Sequence, residues 1–364
     1  MEIFFFLVGY GLLLFLVLGI GDRKHRKKAL RNSQRFISVD DITLVIPFRN
    51  EERNLQALLQ AINGLEVKPS RILLINDHSE DRSISVINTF REGLDLEWLS
   101  LPKTLAGKKA ALTYGISRAE TPYVLTLDAD VTFEPTYLTH IQTLPEADLW
   151  ILPVVFSSAS RWTLIPSLDV LIANAVNVGC FGWYRPVMAS GANLLFKREG
   201  YLSVGIENHE HISSGDDMFL LRDFCHKGME IRLLSDKNVA VYTAGESNVI
   251  SFFNQRIRWL SKTKAVGDHF ANGLGIFQLF ISLVFLVLLT SKVLSGAFLD
   301  VFYLVAVKTA IDMYFLYPYF HRFKQLKWWV FFPFFQGLYP FYVIALIVGY
   351  WFYHPQWKGR PVKK

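Results

Sequence analysis

Two carboxylates spaced two residues apart, Asp128 and Asp130, end the apolar run Tyr123 to Leu127 in the segment YVLTLDADVTFE. Side chains at i and i+2 of an extended chain point the same way, so the pair can share one hard cation, directly or through water. The cation would relieve their mutual repulsion. The bland alternative is a polar strand end. His209 and His211 stand near Glu207 and Glu210, but no further ligand cluster accompanies them, so this stretch reads as a polar loop in preference to a metal site.

The elements that must position the first pair follow from periodicity. Strands are expected at Ile42 to Ile46, Arg71 to Ile75, Leu94 to Leu101 and Tyr123 to Asp128, with helices at Glu51 to Ile62, Ser83 to Phe90 and Lys108 to Arg118. That alternation predicts an α/β fold: a mainly parallel, twisted sheet covered by helices, with ligands at the C-terminal ends of the strands. The polar loops there are Pro47-Phe-Arg-Asn50, Asn76-Asp-His-Ser79 and Asp128-Ala-Asp130, and one cleft can collect all three. Beyond Pro135 the spacing predicts a strand over Asp148 to Val155, an apolar helix over Leu164 to Val178 and a Gly-containing loop entering a strand over Val187 to Lys197. A helix start is expected at Ser213-Ser-Gly-Asp-Asp217.

The chain has 364 residues, of which 51% are hydrophobic, and its mean hydropathy of +0.26 is high for a protein wholly in water. The excess sits at the two ends. Residues 1–21 form an apolar run of membrane-crossing length and are expected to be an uncleaved anchor, followed by a basic cytoplasmic linker over 22–41. Residues 42–250 have soluble composition. Residues 251–270 are basic and aromatic and are expected to lie on the bilayer surface, 271–353 hold three apolar stretches, and 354–364 form a basic tail. Basic residues flank the third stretch on both sides, which a simple crossing does not satisfy. Pro333, Gly337 and Pro340 suggest that it breaks into a re-entrant or surface-lying segment. The net charge of +6 clusters beside apolar stretches, which favours a lipid bilayer as partner and argues against nucleic acid. Cys180 and Cys225 fit no ligand spacing, and a reducing cytosolic setting accounts for them.

The ordered set VIPFRNEERNL (45–55), INDHSEDRS (75–83), GKKAALTYGI (107–116), LDAD (127–130), GAN (191–193), GDD (215–217) and QRIRW (255–259) resembles the membrane-integrated glycosyltransferases of family 2. That group includes cellulose, chitin and hyaluronan synthases and ceramide glucosyltransferases. The resemblance implies a GT-A fold flanked by transmembrane helices, a UDP-sugar donor, and a lipid or glycan acceptor reached from the cytosol at the cytoplasmic membrane. It implies donor binding by Pro47, Arg49, Glu51, Asp77, Lys108, Lys109, Gln255 and Arg258, and Mg²⁺ or Mn²⁺ held by Asp128 and Asp130. It further implies catalysis by Asp217 with Asp216 as its acidic neighbour, and acceptor contact by Asn193 and Trp259. Asn76 departs from the pattern, because many members carry an acid there. Each role has a plainer counterpart: Lys108 and Lys109 as a solvated helix start, Asp216 and Asp217 as helix-capping acids, and Arg258 and Trp259 as membrane-surface anchors. Transfer of a hexose or N-acetylhexosamine to a lipid or lipid-linked acceptor is the expected activity. A processive polysaccharide synthase and a non-catalytic nucleotide-sugar-binding membrane protein are the alternatives.

Overall fold

The computed structural model describes residues 1–29, 35–91, 93–157, 164–204, 216–246, 248–357 and 360–361. The chain opens as helix α1 (Glu2–Leu14), passes through a π-helical turn (Phe15–Ile20) and continues as α2 (Gly21–Ala29). Then follow β1 (Ile42–Phe48), α3 (Glu52–Asn63), β2 (Arg71–Asn76), α4 (Ser83–Asn88), β3 (Leu96–Ser100), α5 (Lys108–Arg118) and β4 (Tyr123–Leu127). Each element expected between residues 42 and 128 is present, with ends shifted by at most a few residues. All residues of β1 and β4 are buried, as strands covered on both faces require, and this is why they read as unbroken apolar runs.

The second half is more finely divided. It holds β5 (Val131–Thr132), α6 (Tyr137–Ile141), β6 (Leu149–Ile151), β7 (Val154–Ser157), α7 (Leu164–Gly182), β8 (Asn193–Lys197), α8 (Arg198–Ser203), α9 (Asp216–His226), β9 (Ile231–Leu233) and β10 (Val241–Ala244). The single strand expected over Asp148 to Val155 is two strands in two sheets. Pro153 interrupts the run, since it has no N–H to give to a ladder. Among the described residues a seven-stranded sheet runs β3-β2-β1-β4-β8-β6-β9 and a three-stranded sheet runs β5-β10-β7. In the larger sheet β1, β2, β3 and β4 are parallel, while β8 is antiparallel to both β4 and β6. The period of two along β1 separates the core into faces: Val45 packs with Ile75, Leu112 and Leu168 on one side, and Leu44 and Ile46 with Leu55, Leu58 and Leu74 on the other.

The chain ends in α10 (Val249–Val266), α11 (His269–Leu294), α12 (Phe298–Arg322) and α13 (Phe332–Phe352). Four helices among the described residues are long and apolar enough to cross a membrane: Glu2–Lys27, Leu164–Gly182, His269–Leu294 and Leu326–Phe352. The second of these is α7, two-thirds buried inside the protein, so its apolar character serves the core of the α/β domain. The break expected in the last stretch is absent. α13 runs unbroken through Gly337 and Pro340, and an initial 3-10 segment, Leu326–Phe331, makes the turn from α12. Buried Lys308 on α12 donates to Asp312 and to Gln336 of α13, each at 2.8 Å, which satisfies the charge inside the helical bundle.

Helix α7 joins the two parts of the molecule. It crosses the N-terminal helix so closely that a Cβ on Gly182 would lie 1.9 Å from the Gly21 carbonyl oxygen, and one on Gly21 would lie 2.3 Å from that of Gly179. Tyr319 of α12 donates to the Asn174 carbonyl at 3.0 Å, and Tyr342 of α13 to Asp169 at 3.3 Å. Gly182→Ala should therefore push the two backbones apart at a cost of about 1–3 kcal/mol, the usual range for overpacking. Thermal unfolding in detergent should show a lowered midpoint for this variant. Gly9→Ala, where a Cβ meets nothing within 4 Å, should leave the midpoint unchanged.

Candidate active site

The strand order brings the chemistry-bearing loops to one edge. Because β1, β2 and β4 are parallel, Phe48, Asn76 and Leu127 end together; because β8 is antiparallel to β4, its first residue Asn193 lies opposite Leu127. The loops after β1 and β2 are tied to each other. Ser79 Oγ accepts from the Asn50 N–H at 3.0 Å, Asn50 Oδ1 accepts from the Glu80 N–H at 2.9 Å, and Arg49 donates to the Asp77 carbonyl at 3.2 Å. Asn50 and His78 adopt positive φ of 52° and 55°, uncommon for residues other than glycine and a sign of a tightly specified loop. Asp77 is buried beneath these loops, and Asn76 Oδ1 accepts from the Ser79 N–H at 2.8 Å, so the residue that departs from the acidic pattern shapes the loop.

Asp128 leaves β4 half-buried and is paired with the Lys108 ammonium. Lys108 stands at the first turn of α5, where the helix dipole disfavours a cation by about 0.3–1 kcal/mol. Gly107 makes the turn into that helix with φ 99°, a conformation that side chains rarely adopt. Burial alone would depress the ammonium pKa, but Asp128, Asp216 and Asp217 outweigh it and hold Lys108 above its ordinary value. Lys109 turns the other way, buried, with its ammonium 5.9 Å from the Phe219 ring. Asp130 is exposed, yet the surrounding walls strip water from its carboxyl, and Asp128 and Glu51 add negative charge. Together these push its pKa up to about 6. Thr243 donates to it at 3.1 Å from β10, which pairs with β5 immediately after Asp130.

Asp216 and Asp217 open α9, where the helix dipole favours acids. Asp217 Oδ1 accepts from the Met218 N–H at 2.8 Å and lies 3.6 Å from Lys262 Nζ, while Oδ2 accepts from the Gly191 N–H at 3.2 Å. Burial would raise the Asp217 pKa, but Lys262, Lys108 and these two N–H groups hold it below the usual carboxylate range. Burial and the charge of Asp217 push Asp216 the other way, upward. The expected helix start is present from Asp216 onward; Ser213 to Gly215, and the loop with Glu207, His209, Glu210 and His211, lie outside the described residues.

Helix α10 supplies the cations. Burial lowers the Arg258 pKa, and the charges of Asp217, Asp128, Glu246 and Asp216 act against that effect. Gln255 donates to Glu246 at 3.1 Å. Trp259 is half-buried and occupied within the protein: the Arg256 guanidinium sits 4.2 Å from its ring centroid and Phe156 meets it edge-on. Arg256 itself is paired with Asp169 at 2.8 Å, which locks α10 to α7.

Two expected site residues are used inside the fold. Asn193 is fully buried; its amide donates to the carbonyls of Pro153 (2.9 Å) and Val239 (3.0 Å), and its Oδ1 accepts from Tyr137 at 2.6 Å. An acceptor contact by this side chain is corrected to a structural role, because its hydrogen-bonding groups are engaged away from solvent. Pro47 is buried within β1, one residue before its end. Conversely, Lys262, Glu246, Thr243 and the Gly191 N–H were not foreseen. Lys262 stands one helical turn beyond Arg258, a spacing visible in sequence; Thr243 comes in through the pairing of very short strands that leave no periodic trace, and Glu246 follows just after that strand.

A family model described as glycosyl transferase family 2 matches residues 43–153, and one described as glycosyl transferase family group 2 matches residues 123–357. The chain is a family 2 glycosyltransferase. A probable glycosyltransferase of Sulfolobus acidocaldarius is 24% identical over 251 residues, covering 64% of this chain and 52% of that protein. A poly-beta-1,6-N-acetyl-D-glucosamine synthase of Staphylococcus epidermidis is 28% identical over 141 residues, covering 37% of this chain and 34% of that protein. The chain thus matches about half or less of the length of these curated relatives. Among solved structures, the mannosyltransferase PcManGT from Pyrobaculum calidifontis, in complex with GDP-Man and Mn²⁺, superposes with a TM-score of 0.56 at 17% identity. The match covers 95% of this chain and 99% of that one. This family 2 enzyme therefore has the GT-A fold, with apolar helices at both ends.

Asn193→Ala should unfold at lower temperature, because each buried polar group left without a partner costs about 1–3 kcal/mol. Nucleotide affinity, measured calorimetrically on the folded fraction, should be unchanged.

Proposed function

We propose that the enzyme moves a hexose or N-acetylhexosamine from a UDP-sugar to a lipid or lipid-linked acceptor at the cytoplasmic membrane face, with inversion at the anomeric carbon. One observation carries this reading: ion pairs tie the strand-end acid Asp128 to Lys108 of α5 and the α9 acid Asp217 to Lys262 of α10, and α10 leads directly into the apolar helices. The acceptor hydroxyl attacks the anomeric carbon opposite the diphosphate, the sugar–phosphate bond breaks, and the hydroxyl proton passes to Asp217. Arg258 and Lys108 offset the charge that grows on the departing diphosphate. Asp77, with Arg49 and Glu51, forms the nucleoside side of the cleft.

Asp128 and Asp130 suit Mg²⁺ or Mn²⁺. Two carboxylates, one raised in pKa by loss of water and then by its neighbours' charge, gain from a divalent cation, and diphosphate and water would complete such a shell. When bound, the ion would act as a Lewis acid on the diphosphate oxygens. Among the described residues no third His, Cys, Asp or Glu joins the pair, which fits a metal completed by its substrate.

Membrane placement rests on the apolar helices and their contacts. Tyr342 touches α7, and Tyr350 and Trp351 near the end of α13 lie within 6 Å of the Lys264 ammonium on α10. Both regions of α13 thus meet elements on the transferase side, which supports a helix running along the membrane face. That course brings the basic residues before and after it to one side, as the charge pattern requires. The likeness to a poly-N-acetylglucosamine synthase supports a processive polymerase as the second reading. The small helical part, with its polar centre filled by Lys308, Asp312 and Gln336, favours single transfer.

Purified enzyme should release UDP from a UDP-sugar in the presence of membrane lipids, lose this activity to a chelator and regain it with Mn²⁺ or Mg²⁺. Asp217→Asn should reduce turnover by about 10²–10⁴-fold, the scale of a lost general base, while nucleotide still binds. Divalent-ion affinity should fall as pH drops through about 6, because protons then compete for Asp130. Mass spectrometry of the product should show one added sugar; a ladder would select the polymerase. Activity only with GDP-sugars would revise the donor.

A further inference from the structure

Resting on the assignment of Asp217 as proton acceptor, we propose that Lys262 is a positioning residue that fixes the Asp217 carboxylate with Oδ2 directed to the acceptor. Oδ1 has two partners, the Met218 N–H at 2.8 Å and the Lys262 ammonium at 3.6 Å. Oδ2 has one among the described residues, the Gly191 N–H at 3.2 Å. A carboxylate oxygen has room for about two acceptor bonds; the ammonium holds the carboxylate through Oδ1 as an ion pair, and Oδ2, with the single Gly191 bond, keeps a lone pair for an incoming hydroxyl. The Lys262 and Asp217 side chains are only 15% and 14% exposed, so water screens the pair weakly.

The origin of Lys262 gives it a second consequence. It lies four residues after Arg258 on α10, on the same helical face. One helix thereby carries the cation that meets the acids near the diphosphate site and the cation that holds the base. Arg256, two residues before Arg258, is paired instead with Asp169 and set over the Trp259 ring. Any displacement of α10 at the membrane surface would shift both functional cations together.

The other charged groups around Asp217 are Asp216 on its own helix, Lys108 from α5 and Arg258 from α10. Lys108 is paired with Asp128, and the ion pair that reaches Asp217 Oδ1 is the one from Lys262. The sign of the expected effect follows. A nearby cation favours the carboxylate form, so removing it raises the pKa at which Asp217 loses its proton. Turnover needs the carboxylate, and the acid limb must move to higher pH.

Lys262→Met should shift the acid limb of kcat by about one pH unit upward, the lower end of the range for loss of an adjacent opposite charge. Turnover then falls about tenfold on that limb and little above it, with donor KM unchanged. Lys262→Arg should restore the wild-type limb. The same shift should appear in the carboxyl infrared band that Asp217→Asn removes, measured as a pH titration of resting protein. An unmoved band in folded Lys262→Met protein, or equal behaviour of the Met and Arg variants, overturns the proposal. Should the wild type transfer no sugar from any donor, the proposed activity falls, while the infrared titration still decides whether Lys262 holds Asp217.

Discussion

Charge balance in a confined space is the constraint on which this structure turns. Asp128, Asp130, Asp216 and Asp217 are drawn to one edge of a sheet, where loss of water works against the charged form of Asp130, Asp216 and Asp217. Lys108 from α5, with Lys262 and Arg258 from α10, supplies the opposing charge. The result divides the acids by environment. Asp217, embraced by a cation and two N–H groups, stays below its usual pKa, whereas Asp130 and Asp216 are pushed up. Pairs of acids whose surroundings separate their proton affinities are a recurrent basis for assigning distinct roles.

The cations come from elements whose placement depends on long-range packing. α5 lies on the sheet through Leu112 and Ile116, and α10 is held to α7 by the buried Arg256–Asp169 pair. α7 in turn meets the N-terminal helix at Gly179 and Gly182, where no side chain fits. The apolar helices are therefore coupled to the site through a shared apolar core, in which Phe320 and Phe332 join Leu168 and Leu171, and through polar contacts such as Asp169 with Arg256 and Tyr342, and Tyr319 with Asn174. Breaking a buried ion pair by removing one partner costs about 3–5 kcal/mol, so the Arg256–Asp169 contact is a strong determinant of where α10 sits.

The first half of the fold was legible because parallel strands covered on both faces, such as Ile42–Phe48 and Tyr123–Leu127, write themselves as apolar runs separated by amphipathic helices. The acidic pairs were legible as types, and their convergence followed once strand order put β4 between β1 and β8. What escaped depended on tertiary context. The split of residues 149–157 into two sheets hinged on Pro153. The burial of Asn193 came from Tyr137, Pro153 and Val239, none adjacent in sequence. α7 and α13 show the limit of composition most plainly: both are apolar, but one fills the core of the α/β domain and the other joins the terminal bundle. Neither Pro340 nor Gly337 breaks α13, since surrounding helices support its backbone.

The most direct measurement is an experimental structure of the full chain with UDP and Mn²⁺. The account predicts the diphosphate lying between the Asp128–Asp130 pair and Arg258, with the ion on the two carboxylates and Asp217 Oδ2 open on the acceptor side beside Lys262. Nucleotide bound elsewhere, or an ion held without Asp128 and Asp130, would contradict it.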